Sequence, residues 1–105
     1  MSEHGEIQIT CGSVTEANAI AHQLVEQRLA ACVQSVAIGS VYEWGGEVKD
    51  DREVLLLVKT RADRFDAVAR LVVELHSYEL PAITMAPITG TNAYLEWIDR
   101  QVERV

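Results

Sequence analysis

The fold is decided by the run Val54-Leu55-Leu56-Leu57-Val58, in which every residue is apolar and branched. Such a run is typical of a strand that is buried on both faces of its sheet. Alternation along the strand places Leu55 and Leu57 on the face opposite the other three residues. A chain of 105 residues has too few helices to cover both faces, so we expect another copy of the chain to cover one of them. The sequence therefore predicts an oligomer.

The composition and charge fit one soluble domain that spans residues 1–105. The formal net charge of −7 disfavours binding to nucleic acid and to anionic membrane surfaces, because both depend on clustered Lys and Arg. The first six residues lack the basic start and apolar core of a signal peptide, and no apolar run reaches membrane-spanning length. We therefore expect a cytoplasmic protein without a membrane partner, in which Cys11 and Cys32 are free thiols.

Strand and helix patterns alternate along the chain. The predicted strands span residues 7–11, 32–44, 47–60 and 82–88, and Gly45-Gly46 predicts a hairpin turn between the two longest. Apolar residues at helical spacing predict three helices, which end near residues 31, 76 and 102. The predicted N-terminal caps of these helices are Ser13 with Glu16, Thr60 with Asp63, and Asn92.

The order β-α-β-β-α-β, followed by a last helix, describes an α+β domain of the ferredoxin-like kind. In this arrangement a four-stranded antiparallel sheet carries both long helices on one side and leaves its other side bare. Identical copies could bury their bare sides together, with the hairpin around Gly45 and Gly46 reaching onto a neighbouring subunit. Coverage of part of the same side by the final helix is the alternative.

Six segments spread over nearly the whole chain carry a resemblance to a known family. They are Glu16-Ala17, Leu29-Ala30-Ala31-Cys32, Tyr42-Glu43-Trp44-Gly45-Gly46, Glu53 with the apolar run into Lys59-Thr60, His76-Ser77-Tyr78-Glu79-Leu80-Pro81 and Tyr94-Leu95-Glu96-Trp97. In this order and spacing they resemble the CutA divalent-cation tolerance family. The resemblance implies a homotrimer similar in architecture to the PII signalling proteins, and a role in tolerance of metal ions, copper above all. The chain departs from the family pattern at Ser77, where proline is usual.

Copper favours thiolate and imidazole ligands, with carboxylate as a harder third ligand. The candidate ligands of these types are Cys11, Cys32, His4, His22, His76 and Glu79. None of them has close ligand spacing, so any site must be assembled by the fold. The resemblance places the family's proposed copper ligands on Cys11 and His76. Copper or another divalent cation is therefore the expected ligand, and folding is expected to require none.

Structural roles for the same residues stay open beside the metal-binding ones. Cys11 shares its strand face with two isoleucines, where a cysteine commonly acts as a small hydrophobe, and Cys32 follows two alanines at a position that favours close packing. His76 falls at the end of the second predicted helix, where its ring can interact with the last carbonyls. His22 is expected to be exposed on the first helix, and His4 is expected to lie in a disordered start.

A further set of residues is expected at the boundary between subunits, because a charged residue beside so apolar a strand needs a partner. A polar cleft at this boundary could be lined by Glu53, Lys59, Tyr78 and Glu79. The same residues could instead form ion pairs that fix the register between subunits. The predicted trimer interface contains large aromatic and apolar side chains, namely Tyr42, Trp44, Leu55 and Leu57.

No catalytic motif is present in the sequence, which has no G-x-S-x-G elbow, phosphate loop or dinucleotide fingerprint, so we expect a protein that is not an enzyme. Three functions remain as hypotheses. The first is a trimeric cytoplasmic protein that contributes to metal-ion tolerance by binding copper. The second is a PII-like sensor that binds a small metabolite or anion between subunits. The third is a structural scaffold that presents its loops to a protein partner.

Overall fold

The apolar run at residues 54–58 forms the middle of a 15-residue strand in an antiparallel sheet. Residues 3–103, which the computed structural model describes, contain four strands in the order β2-β3-β1-β4. The strands are β1 (His4–Cys11), β2 (Cys32–Trp44), β3 (Glu47–Arg61) and β4 (Ile83–Ile88). This is the ferredoxin-like sheet that the sequence predicted, and the prediction of β2 agrees at both ends.

The helices of residues 3–103 are α1 (Val14–Glu26), α2 (Phe65–Leu75) and α3 (Asn92–Gln101), and a short 3-10 turn (Ala62–Arg64) leads into α2. Side chains from α1 and α2 pack with those of the sheet in one core. None of these helices is long and apolar enough to cross a membrane.

The core forms where alternate strand residues meet the two long helices. Its largest fully buried side chains in the sheet and in α1 and α2 are Ile7, Ile9, Leu56, Val58, Ile20, Leu24, Val68 and Val72. The neighbours of Leu56 in β3, Leu55 and Leu57, point to the other face and are only partly buried. The alternation predicted for the apolar run is therefore confirmed. We call the face that bears Leu55 and Leu57 the open face.

The hairpin between β2 and β3 extends beyond the rest of the sheet. β1 pairs with β3 only as far as Val54, whereas β2 and β3 stay paired to the turn. The two strands from Gly39 to Arg52 therefore form a two-stranded ribbon, which we call the hairpin arm. Gly45 and Gly46 close it with φ angles of 63° and 83°, a left-handed conformation that glycine adopts without steric cost. The predicted hairpin turn is confirmed.

The final helix packs against the end of the open face at which β1 begins. Asp99 of α3 lies 2.8 Å from Nε2 of His4 and accepts a hydrogen bond of 2.9 Å from Arg61. Arg28 and Arg64 donate to carbonyls at the C-terminal end of α3. The alternative in which the last helix covers part of this face is thus confirmed, but Leu55 and Leu57 remain partly exposed.

His4 was predicted to lie in a disordered start, and that prediction is wrong. The residue belongs to β1, which begins earlier than the predicted Ile7, and it is 7% exposed. Its partner Asp99 lies 95 positions away in the sequence, so no local pattern could reveal the contact.

The first helix ends at Glu26, several residues before the predicted end near Ala31. Arg28 adopts the left-handed conformation with a φ of 57°, and the N–H groups of Leu29 and Ala30 both bond to the carbonyl of Leu24. Such a turn is usually marked by glycine. Its absence from the sequence explains the overestimate.

One of the three predicted N-terminal caps is confirmed, because the Ser13 hydroxyl accepts from the N–H of Glu16. Asn92 is the first residue of α3 rather than its cap, and the hydroxyl of Thr91 accepts from the N–H of Tyr94 instead. The prediction that Thr60 caps the second helix is wrong. Thr60 lies inside β3, fully buried, and donates a hydrogen bond of 2.7 Å to the carbonyl of Leu29.

Replacement of Thr60 with Val is expected to lower the free energy of unfolding by about 1–3 kcal/mol, because the Leu29 carbonyl then loses its buried donor. Urea denaturation followed by circular dichroism, at one fixed protein concentration, measures the change. The matched control is Thr84→Val on an exposed position of β4, which should change stability little. Equal stability of the Thr60→Val variant and the wild type would contradict the assigned role.

Candidate functional site

A thiol, a carboxylate and an imidazole meet at the end of β1. Cys11 is the last residue of the strand, Glu16 lies in the first turn of α1, and His76 directly follows α2. One possible ligand atom from each of the three residues lies within 4.8 Å of the other two. We call these residues the thiol cluster. The fold thus assembles the two predicted copper ligands and adds a carboxylate to them.

The ring of His76 is held by hydrogen bonds at both nitrogens. Nε2 lies 2.7 Å from the carbonyl oxygen of Thr10, and Nδ1 accepts from the N–H of Tyr78 at 3.0 Å. A carbonyl oxygen can only accept, so the pattern assigns the hydrogen to Nε2 and the lone pair to Nδ1. The interpretation in which this ring caps the last carbonyls of the second helix is wrong, because the ring binds β1 instead.

Glu16 accepts hydrogen bonds from two separate backbone segments. Its carboxylate receives the N–H of Ser77 at 2.9 Å and that of Gly12 at 3.5 Å, and it lies 3.7 Å from Nδ1 of His76. Burial acts to raise the pKa of Glu16, but the hydrogen bonds from Ser77 and Gly12, together with the positive charge of the His76 ring when that ring is protonated, outweigh it, so the pKa lies below its ordinary value.

The sequence pattern around Glu16 indicates only a capping box and does not reveal this second role. The carboxylate does approach the N–H of Gly12, the residue before the cap, but Ser77 lies 61 positions away from it. The signal that could have found the role is the segment Glu16-Ala17, which belongs to the family resemblance.

Cys11 is fully buried among core residues, in agreement with the alternative that it acts as a small hydrophobic side chain. Burial, together with the negative charges of Glu16 and Glu53, raises the pKa of the thiol to about 11. The thiol is therefore protonated at neutral pH, which makes it a weak nucleophile and a ligand only after it has lost its proton. The packing role of Cys11 is confirmed, and the position beside Glu16 and His76 leaves the metal-binding role open.

The donor set of the thiol cluster fits a copper or zinc ion, since it offers sulfur, imidazole nitrogen and carboxylate oxygen. Two rearrangements must accompany binding. Cys11 has to release its proton, and Nδ1 of His76 has to exchange the N–H of Tyr78 for the cation. The bond from Nε2 to Thr10 can persist and orient the ring.

The other candidate ligands lie apart from the thiol cluster. His22 is exposed on α1, as predicted, His4 contacts Asp99, and Cys32 is a partly exposed free thiol at the start of β2. Within residues 3–103, the thiol cluster is the one group of three potential ligands close enough to hold an ion together.

The predicted polar cleft corresponds in part to an open groove of about 530 Å³ along the hairpin arm. Its walls include Glu53, Tyr78 and Glu79 together with Tyr42 and Trp44, and we call it the aromatic groove. Inside it the Tyr78 hydroxyl donates to Glu53 at 2.6 Å. Burial, this hydrogen bond and the charge of Glu53 raise the pKa of Tyr78.

Lys59 does not line the aromatic groove of its own chain. It lies six positions beyond Glu53 along β3 and pairs with Glu6 at 2.7 Å. The side chains predicted for the trimer interface all lie on the open face, where Tyr42 is 39% and Trp44 48% exposed. That placement agrees with the interface hypothesis, which stays a prediction.

Three consecutive residues connect the thiol cluster to the aromatic groove. His76 belongs to the cluster, Ser77 donates its N–H to Glu16, and Tyr78 reaches Glu53. The rings of His76 and Tyr78 lie 4.7 Å apart between centroids. A Cβ atom at Gly12 would lie 2.9 Å from the hydroxyl oxygen of Tyr78 and 3.1 Å from its ring, so glycine favours this close approach.

The family model and the similar proteins found for this chain all belong to one family. The family model of the CutA1 divalent ion tolerance protein matches residues 6–101. The chain is 42% identical to the divalent-cation tolerance protein CutA of Archaeoglobus fulgidus, over 95% of this chain and 99% of that protein. It is 46% identical to CutA of Thermus thermophilus, over 88% and 91% of the two chains. A longer CutA homologue from Xenopus laevis is 42% identical, over 86% of this chain and 61% of that protein.

The likeness extends to three dimensions. The solved structure of the periplasmic divalent cation tolerance protein CutA from Archaeoglobus fulgidus superposes with a TM-score of 0.94. The superposition covers 95% of this chain and 99% of that chain, at 42% sequence identity.

Glu16→Gln is expected to make the free energy of unfolding depend less steeply on pH under acidic conditions. A carboxyl whose pKa is lowered in the folded state contributes stability above its unfolded pKa and loses that contribution as the pH falls. The free energy of unfolding of the wild type should therefore decrease more steeply below about pH 4.5 than that of the variant. Urea denaturation across a pH series measures both curves, with Glu26→Gln on the exposed end of α1 as the control. Parallel wild-type and Glu16→Gln curves would refute the assignment.

Proposed function

Because this chain belongs to the CutA1 divalent ion tolerance protein family, we propose that it contributes to divalent-cation tolerance by binding copper as a cytoplasmic homotrimer. The single observation that carries the copper proposal is the convergence of Cys11, Glu16 and His76 at the end of β1. The two free thiols support the cytoplasmic location.

Each residue of the thiol cluster has a distinct part in the proposed binding. Cys11 supplies the soft thiolate that copper prefers, and it becomes a ligand by releasing its proton. His76 supplies the lone pair of Nδ1 while its Nε2 stays bonded to Thr10. Glu16 supplies a carboxylate oxygen, whose lowered pKa keeps it ionised at neutral pH. The bound cation is cargo, held away from other ligands.

The proposal includes no catalytic step. A buried thiol whose pKa is about 11 is almost entirely protonated at neutral pH and is a poor nucleophile. The two nitrogens of His76 are engaged with backbone groups, so the ring is not placed to abstract a proton from Cys11. Retention of a cation suits this arrangement better than turnover of a substrate.

The trimer proposal rests on apolar surface that one chain leaves uncovered. Leu55 and Leu57 are partly exposed on the open face. On the hairpin arm, Trp44 is 48% exposed on the open face, and Val41 and Val48, on the other face of the arm, are 71% and 76% exposed. A two-stranded ribbon is marginally stable in water by itself, so the arm needs a surface to pack against. Other copies of the chain provide that surface if they associate through the open face.

A second candidate function is that of a small-molecule sensor, and the position of the aromatic groove favours it. Tyr42 and Trp44 belong both to the groove and to the hairpin arm, so an occupant of the groove would touch the segment proposed to contact a neighbour. An anionic ligand of such a sensor is disfavoured, because the described groove lining contains carboxylates and no basic side chain.

Cys11→Ser and His76→Ala are each expected to weaken copper binding by about ten-fold or more, since each removes one ligand atom. Competitive titration of the metal-free protein with Cu(I), Cu(II) and Zn(II) against a chelator measures the affinities. Below the thiol pKa of about 11, the affinity should rise about ten-fold per pH unit, because binding releases the Cys11 proton. His22→Ala, which removes an exposed imidazole, is the matched control. Unchanged affinity in both cluster variants would reject these ligands.

The double substitution Leu55→Asp with Leu57→Asp is expected to abolish assembly, because it would bury two carboxylates in the proposed interface. Size-exclusion chromatography with light scattering, run over a series of protein concentrations, reports the oligomeric state. Val25→Asp changes an exposed valine on α1 and should leave the assembly intact. A wild-type protein that is folded and monomeric throughout the series would overturn the trimer proposal.

A further inference from the structure

The aromatic groove contains a carboxylate that is buried without a basic partner. Glu53 is only 7% exposed, and its one hydrogen-bond partner within residues 3–103 is the hydroxyl of Tyr78. It takes part in none of the ion pairs that these residues form. Taking an ionised carboxylate out of water costs roughly several kcal/mol unless a positive group compensates for the loss of hydration. This position therefore calls for a cation.

The side chains around Glu53 narrow the kind of cation. Tyr42, Trp44 and Tyr78 bring three aromatic rings to the groove, and Glu79 adds a second carboxylate. Aromatic faces attract ammonium and guanidinium groups, with Trp the strongest of the three aromatic types. A carboxylate forms short, strong hydrogen bonds with the same groups. The combination of both features recognises an organic cation.

The size and the remaining walls of the groove fit a molecule rather than a bare metal ion. Its volume of about 530 Å³ lies in the range of small-molecule sites. Leu80 and Ala82 add apolar surface beside the acidic end, which suits an aliphatic stem. Glu53 and Glu79 are not part of any close group of metal ligands in residues 3–103.

We propose that the aromatic groove is a binding site for a small organic cation, a primary ammonium or guanidinium group on a short aliphatic stem. Glu53 pairs with the positive group, and the hydroxyl of Tyr78 holds the carboxylate in place. Tyr42, which lies nearer to Glu53 along the hairpin arm than Trp44 does, offers its aromatic face to the cation, and Leu80 contacts the stem. This site is separate from the thiol cluster, and the cation can occupy it in the metal-free protein.

Isothermal titration calorimetry of the protein in its native assembly tests the site with n-butylammonium and butylguanidinium as probes. The neutral control ligand is n-butanol, which has a similar stem and no charge. The cations should bind saturably and more weakly at higher salt, whereas the alcohol should not bind. Glu53→Gln should lower the affinity for both cations by about ten-fold or more, because it removes the negative charge of the side chain and keeps its shape.

Glu43→Gln is the matched control variant, because Glu43 is exposed on the opposite face of β2, next to Trp44. It should leave the affinities unchanged. Equal binding of n-butanol and n-butylammonium, equal affinities in wild type and Glu53→Gln, or no saturable binding of either cation would overturn the proposal. A further outcome is that neither cation binds the wild type while Glu53→Gln alters the oligomeric state. A basic side chain from a second copy would then be the partner of Glu53, and that result also overturns the proposal.

Two further measurements separate this proposal from the copper proposal. Cys11→Ser should bind n-butylammonium as the wild type does, and Glu53→Gln should bind copper as the wild type does. Loss of one activity with retention of the other identifies which of the two sites has been assigned wrongly.

Discussion

The alternation of side chains along β3 is the constraint on which the rest of the molecule depends. Leu56 and Val58 fill the core between sheet and helices, so Leu55, Leu57 and Glu53 must face the other way. A slip of one residue would reverse both sets. The same register pairs Val54 with Cys11, which brings the thiol to the helix side of the sheet. One strand thereby assigns the thiol cluster and the aromatic groove to opposite faces.

The sequence predicted what is encoded locally and missed what is encoded by distant contacts. The β2–β3 hairpin could be predicted because its alternation and its two glycines lie within one short segment. The burial of His4 and the second role of Glu16 could not, because Asp99 and Ser77 approach them only in the folded chain. The C-terminal end of α1 was predicted too late because no glycine marks the left-handed turn at Arg28. Thr60 was misplaced because a cap-like pattern with Asp63 hides its bond to the distant Leu29.

The candidate site could be predicted from the sequence only in part. Cys11 and His76 came from a family resemblance, and the fold does bring them together with a third donor. The sequence could not predict the shape of the aromatic groove, because Tyr42 and Trp44 belong to the hairpin arm while Tyr78 and Glu79 come from the loop after α2. No spacing rule joins such segments. Lys59 was predicted to line the same cleft, but its side chain pairs with Glu6 instead.

The short bridge from His76 to Tyr78 has a thermodynamic consequence. Tyr78 donates its N–H to the nitrogen that a metal would need, and the same residue's hydroxyl steadies Glu53. A ligand that displaces the first bond and shifts Tyr78 would also alter the second. Linkage then requires reciprocity: whatever factor one occupant imposes on the affinity for the other is returned in full. Two chemically unlike cations on opposite faces of one sheet would thus sense each other through three residues of backbone.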